Sequence, residues 1–336
     1  MKMQMAEMSS RKVYRESLAR LLPDIGSLEI ALNQILATNS MAGSVTILKR
    51  EAFKYASTFP SELITCESRG GKKHCMLGKY GVAPEVGSNG HGGGPSYEAY
   101  VYREVVGPSG ITGPIFYGDY RHPDTHDTWL FIEYLTNGVR LDETPSPEQS
   151  LIEAAVWSGH FHSGQQQRLE SGAFQGLKVY TQEFYQRWIS RVKENARDSS
   201  NGWLRQICDC FSKNLEGLTA PPQTVIHGEF TVHNVLKTDH RICPVDWESA
   251  AVAPGEIDLA SLTEGWPGPV VEACERAYEN ARWPNAAPPD FAHRLTLARV
   301  YWSLRWLGHA RGSLDTEKAQ KRLQRIRGIA EGLGWI

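Results

Sequence analysis

Twenty residues of this chain, from His227 to Asp246, carry His227, Glu229, Asn234 and Asp246, in the segments HGEFTVHN and PVD. Short apolar runs (TVI, NVL, ICPV) stand between these polar groups and read as strands joined by a loop. A strand–loop–strand of this kind can gather the side chains at one end of a sheet. One carboxylate, Glu229, can then orient a nucleophile, while the amide oxygen of Asn234 and the carboxylate of Asp246 take a hard cation. Magnesium favours oxygen ligands in octahedral geometry, keeps several waters and shares its shell with substrate phosphates. Phosphoryl transfer asks a protein for little beyond positioning and charge neutralisation, and this set can supply both. Asp-Trp-Glu alone would be ordinary loop chemistry, because Asp and Asn are turn formers. The whole ensemble, with Gly255 and Asp258-Leu259-Ala260 after it, is far more particular.

The elements that must position these groups follow a change of pattern along the chain. Helix-like spacing over residues 12 to 38 (Leu18, Leu21, Leu22, then Ile30, Leu32, Ile35, Leu36) is interrupted by Pro23 and Gly26. SVTILKR, SELITCES and KHCMLGKY then read as strands, with RGGKK as the hairpin turn between the last two. GVAPEVGSNGHGGGPS has no regular pattern, YEAYVYREVVG is helical, and GPIFYGDY and DTWLFIEYL are again strands. Beyond residue 147 the chain is mostly helical, opening with Ser146 as N-cap and Pro147 at the first helical position. Amphipathic stretches run over 177–193 and 201–215, and helices close the chain around 269–281, 290–310 and 315–333. A β-rich first third feeding a helical remainder predicts an α+β protein of two unequal lobes.

Composition bounds the function. At 336 residues, with 41% apolar and 22% charged residues, the chain can bury two cores and is neither disordered nor fibrous. A net charge of −2 argues against a nucleic-acid binder working by phosphate neutralisation. No run of about 18 apolar residues predicts a membrane span, and the N-terminus lacks the apolar segment of a signal peptide. The six cysteines are scattered without a CxxC pair, as reduced thiols of a cytoplasmic protein would be.

The region around His227 resembles the aminoglycoside phosphotransferase and choline kinase-like family, which has a protein-kinase-like fold. The family pattern H-G-D-x4-N, then I-D-[FW]-[ED], is similar to His227, Gly228, Glu229 and Asn234, then Val245-Asp246-Trp247-Glu248. The resemblance implies a small β-rich N-lobe over 44–135 that binds nucleotide, a larger helical C-lobe over 136–336 that binds the acceptor, and a helical extension over 1–43. That extension would cap the small lobe or mediate self-association into a homodimer. A kinase small lobe needs a strand lysine for the α- and β-phosphates and a helix glutamate to hold it. Lys79 in KHCMLGKYG and Glu98 in YEAYVYREVV occupy these places, and LFIEYL stands where the adenine-binding hinge would be, with backbone groups of Glu133, Tyr134 and Leu135. Lys72 and Lys73 sit in the solvated turn, and Glu104 faces away from Glu98. By the same resemblance Asp258 in GEIDLA supports the loop as a hydrogen-bond acceptor, and His162 and His227 brace it.

The implied activity is an ATP- and Mg2+-dependent kinase that phosphorylates a hydroxyl of an aminoglycoside-like, sugar, amino-alcohol or natural-product acceptor, with no nucleic-acid or membrane partner. Glu229 would accept or orient the acceptor's proton, and Asn234 and Asp246 would hold the metal. Glu248, Glu256, Glu264 and Glu272 are available to a cationic acceptor. The chain departs from the family in two places. REAFKYASTFPSE stands in the nucleotide loop without a glycine, leaving Ser57 and Thr58 to contact phosphates, and Glu229 replaces an aspartate. A misplacement of about an ångström can cost on the order of 10²-fold, which makes a non-catalytic nucleotide-binding protein on the same fold the alternative. A metal hydrolase built on His227 and His233 has little support, because the pair does not form H-E-x-x-H.

Overall fold

The computed structural model describes residues 21–38, 45–55, 58–68, 71–81, 93–197, 202–309 and 314–336. Two compact units divide the chain: Met1–Gly138 with Thr238–Ser249, and Val139–Lys237 with Ala250–Ile336.

The first unit is built on strands β1 (Thr46–Ala52), β2 (Ser61–Ser68), β3 (Lys72–Tyr80), β4 (Phe116–Arg121) and β5 (Thr128–Glu133), paired antiparallel in the order β1-β2-β3-β5-β4. Period-2 alternation sends Ile64 and Cys66 of β2, and Met76 and Tyr80 of β3, to one face. Helix α1 (Ile25–Thr38) covers that face with Leu28, Ala31, Leu32, Ile35 and Leu36, all buried and spaced at three to four residues. Each fully buried Leu or Ile contributes roughly 1.5–3 kcal/mol, so the helix before β1 belongs to this core. Helix α2 (Gly94–Val101) starts three residues before the predicted Tyr97, with a proline in its first turn. It then widens into a π turn over Tyr102–Val106 and a 3-10 turn over Gly107–Ser109. Residues 82–92 of the glycine-rich segment, the RGG turn's residues 69–70 and the helix predicted over 12–20 lie outside the described residues.

The second unit is helical. Helix α3 (Pro147–Glu170) buries Leu151, Ala154, Ala155, Ser158, Phe161 and His162 along one stripe. Ser146 does occupy its N-cap with Pro147 behind it, yet the serine side chain forms no cap bond. Helix α4 (Gln182–Asn195) begins later than the predicted residue 177, because Thr181 Oγ1 accepts from Phe184 N at 3.4 Å and caps it. Helices α5 (Gly202–Lys213) and α6 (Glu216–Thr219) lead to β7 (Thr224–Ile226), which pairs antiparallel with β10 (Ala251–Ala253). Strand β6 (Val139–Arg140) pairs antiparallel with β8 (Val235–Lys237). Short β9 (Ile242–Pro244) lies in the segment that belongs to the first unit. Helices α7 (Glu256–Leu262), α8 (Gly268–Arg282), α9 (Phe291–His309) and α10 (Glu317–Gly332) complete the chain. A helix over EIDLASL was not anticipated; it is seven residues long and buried on every side, so it shows no amphipathic period. No helix among the described residues is long and apolar enough to cross a membrane. All six cysteines are free.

Candidate active site

The first unit collects four charged side chains. Lys79 lies on the face of β3 opposite α1, and its Nζ donates to Glu98 Oε2 at 2.7 Å, Asp246 Oδ1 at 2.8 Å and Glu248 Oε2 at 3.4 Å. Asp246 and Glu248 come from 238–249, the segment that returns to this unit. Thr112 Oγ1 donates to the Ile242 carbonyl at 2.9 Å, and the Trp247 amide donates to Glu98 Oε1 at 3.2 Å, so Glu98 holds the lysine with one oxygen and this segment with the other. Asp246 adopts φ +67°, a left-handed conformation that a short polar side chain tolerates and most others do not.

One ammonium faces three carboxylates, an excess of negative charge. Burial alone would lower the Lys79 pKa, but Asp246, Glu98 and Glu248 outweigh it and hold that pKa well above its usual value. The Glu98 carboxyl, 1% exposed, is pushed up to about 7, first by burial, then by Asp246 and Glu248, with Lys79 opposing. All donors here are oxygens, the ligand type of a hard divalent cation.

Around this cluster the structure locates the remaining candidates. Thr58 is exposed at the β1–β2 connection, and Ser57 lies outside the described residues. Phe59, which sequence reasoning passed over, places its ring 5.7 Å from Lys79 Nζ in the stretch where a glycine was sought. In the hinge, the Glu133 amide donates to Ile115 O at 2.7 Å and the Tyr134 amide to Cys75 O at 3.0 Å. Among the described residues the Leu135 amide has no such backbone partner.

The second unit holds the loop after β7. Gly228 takes φ +82°, which a side chain would resist, and turns the chain so that consecutive amides converge on one carboxylate. Asp258 Oδ2 accepts from His227 N at 2.7 Å and Oδ1 from Gly228 N at 2.9 Å. His162, fully buried, places Nε2 3.1 Å from Asp258 Oδ2 and Nδ1 3.0 Å from the Tyr278 hydroxyl. Burial drives the His162 pKa down against the pull of Asp258, so the ring is neutral, donating from Nε2 and accepting at Nδ1. Gly255 is required beneath it: a Cβ there would stand 2.5 Å from the Tyr278 hydroxyl and 2.6 Å from His162 Nδ1. His227 Nδ1 accepts the Glu229 amide at 3.3 Å. Phe230 stacks on Trp157 at 5.8 Å between centroids, fixing the loop to α3. Asp258, His162 and His227 thus support the loop, as the resemblance implies.

Glu229 and Asn234 are brought together within this loop. Asn234 Nδ2 donates to the Glu229 carbonyl at 3.2 Å, which makes Oδ1 the end of the amide open to a cation. The Glu229 carboxylate is paired with Arg305 of α9, a buried residue 76 positions further on that sequence reasoning missed. No local pattern marks Arg305; α9 is buried nearly all round, and its arginine looks like any other charged residue in a helix. Asn234 and Glu229 belong to the second unit, and Lys79, Glu98 and Asp246 to the first.

The acids offered to a cationic acceptor are otherwise engaged. Glu256 lies 3.5 Å from Arg282 and 3.7 Å from Arg294, and Glu264 accepts from Arg322, Arg325 and Trp302. Glu272 pairs with Arg276 at 3.8 Å, and Glu248 faces Lys79. His233 is 62% exposed by side chain, 4.0 Å from Asp142.

A strand lysine held by a helix glutamate, and a braced His-Gly-acid loop with an asparagine five residues on, define a phosphotransferase of kinase-like fold. The sequence model of the phosphotransferase enzyme family (APH) matches residues 116–291, just over half of the chain, and the chain belongs to that family. It is accordingly an ATP-dependent phosphotransferase acting on a hydroxyl group of a small molecule. Lys79 and Glu98 precede the matched segment, which contains Glu229, Asn234 and Asp246. Solved structures share the fold at low identity. The choline kinase LicA from Streptococcus pneumoniae is 13% identical with TM-score 0.57, over 90% of this chain and 98% of that one. A choline/ethanolamine kinase family protein from Mesorhizobium loti is 17% identical with TM-score 0.54, over 84% and 88%. The amicoumacin kinase hAmiN, solved with AMP-PNP, Ca2+ and Ami, is 12% identical with TM-score 0.60, over 89% and 93%. No curated protein matches the chain.

Proposed function

We propose that this chain transfers the γ-phosphate of ATP, taken as its Mg2+ complex, to a hydroxyl of an amino alcohol, sugar, aminoglycoside-like or natural-product acceptor. The observation that supports it most is the Lys79 ammonium held at once by Glu98 and Asp246. Glu98 keeps the ammonium in place, and the ammonium binds the α- and β-phosphates. Asp246 in the first unit and Asn234 Oδ1 in the second are each offered as an oxygen ligand to Mg2+, which would supply neutralisation of the phosphate charge; oxygen ligands suit a hard divalent cation. The Leu135 amide is the hinge donor to the adenine edge, since the Glu133 and Tyr134 amides are already bonded. Thr58 and Ser57 are the hydroxyls offered to the phosphates. Glu229 accepts the hydrogen bond of the acceptor hydroxyl and orients its oxygen. The protein thus supplies alignment and charge, which is most of what phosphoryl transfer requires.

Incubation with MgATP and a panel of amino alcohols, sugars, aminoglycosides and other polyhydroxylated natural products tests this, with ADP release and the phosphorus NMR signal of a phosphate monoester as readouts. The expected result is acceptor-dependent ADP release with a matching monoester. ADP release no faster than the acceptor-free blank across the panel would count against it.

A further inference from the structure

We propose that Arg305 is the positioning residue that makes a glutamate workable at position 229. The inference rests on the reading of Glu229 as the group that orients the acceptor hydroxyl. Arg305 is 1% exposed on α9 and reaches back to the loop with both terminal nitrogens: Nη1 donates to the Gly228 carbonyl and Nη2 to Glu229 Oε1. One planar guanidinium therefore grips the backbone of one residue and the carboxylate of the next, the fork geometry that suits arginine and not lysine. The guanidinium carbon lies 5.4 Å from the Trp302 ring centroid, which fixes it from another side. Asp258 pins the loop backbone independently at His227 N and Gly228 N.

Between a pinned backbone and a fixed guanidinium, the additional methylene of Glu229 has its torsions set from both ends. Without the guanidinium the carboxylate loses the charged partner that holds Oε1. An aspartate would fall short of Arg305 by about an ångström, the span of one further carbon–carbon bond. The glutamate and the arginine thus form a matched pair, and the loop accepts the longer acid because α9 supplies its partner.

The test measures phosphate release from MgATP with water as the acceptor, together with MgATP affinity by calorimetry. Variants are Arg305→Met and Arg305→Lys, with Arg305→Lys also made in a Glu229→Asp background. Arg305→Met is expected to lower phosphate release about 10²-fold, the scale of an ångström misplacement, with the MgATP Kd within about threefold of wild type. Arg305→Lys keeps the charge and loses the fork. It is expected to lower the rate about tenfold beside Glu229 and by less than about threefold in the Glu229→Asp background, where the carboxylate contact is already gone and only the bond to the Gly228 carbonyl is lost. Should Arg305→Met fail to fold, the lysine comparison decides alone. Equal losses from Arg305→Lys in both backgrounds would make Arg305 a scaffold residue and overturn the proposal. A wild type that binds MgATP yet releases no phosphate to water and transfers none to any acceptor of the panel would overturn the Glu229 role beneath it, whereas no MgATP binding at all would overturn the proposed function itself.

Discussion

A lysine among three carboxylates has a proton balance that can be read as stability. The Glu98 carboxyl stands at about 7 in the fold against an ordinary 4.5, so the folded chain binds this proton more tightly than the unfolded chain does. Its contribution to stability is complete below about pH 4.5 and is lost as pH rises through about 7. In metal-free buffer, Glu98→Gln is expected to flatten that part of the profile: its Tm should fall less than that of wild type between about pH 5 and pH 8. Equal slopes for the two proteins would show that Glu98 is not raised. Lys79→Met removes the cation at the centre of the cluster and leaves Glu98 buried beside Asp246 and Glu248. Breaking a buried pair on one side costs roughly 3–5 kcal/mol, so denaturation should report a loss of that order at pH 8 and a smaller one at pH 5, where Glu98 takes a proton. If Lys79 binds the phosphates as proposed, turnover with any acceptor should fall by about 10²-fold or more, since a preorganised donor would be gone.

At the scale of elements, the loop after β7 is held from three directions: Asp258 of α7 on its amides, Phe230 against α3, and Arg305 of α9 on its carboxylate. Asp258→Ala would orphan two buried amides and the Nε2 hydrogen of His162. Each unsatisfied buried group costs about 1–3 kcal/mol, so chemical denaturation is expected to report a loss of roughly 3 kcal/mol or more with an unchanged m value. A loss below about 1 kcal/mol would mean that the loop does not depend on this carboxylate. Much of this layer was legible in the sequence. The strands of the small sheet alternate with period 2, and the roles of Asp258, His162 and His227 followed from the family pattern. What was not legible lies far apart in the chain or leaves no periodic mark. Arg305 meets Glu229 across 76 residues, α7 is buried on all sides, and the π turn after α2 looks like plain helix to any 3.6-residue reading. Phe59 leaves no mark in the sequence, because a loop over phosphates calls for glycine and the position beside the lysine is filled by a ring instead.

For the whole molecule, chain order and spatial grouping diverge at the site. The chain leaves the first unit at Gly138 and returns to it for Thr238–Ser249, and that return brings Asp246 and Glu248 to Lys79. Thr112 on Ile242, Arg241 on Glu133 and Glu98 on the Trp247 amide fasten the returning segment. This short return makes the charge cluster a property of one compact unit, although its members are separated by up to 169 positions in sequence. On the proposed reading, Asp246, beside Lys79, couples ATP binding to a divalent cation. Calorimetric titration of ATP into the wild-type chain and into Asp246→Ala, each with and without Mg2+, tests it most directly. The wild type is expected to bind ATP more tightly with Mg2+ than without it, and the Asp246→Ala variant to show no difference between the two. Equal Mg2+ dependence in both proteins, or no ATP binding by the wild type, would contradict it.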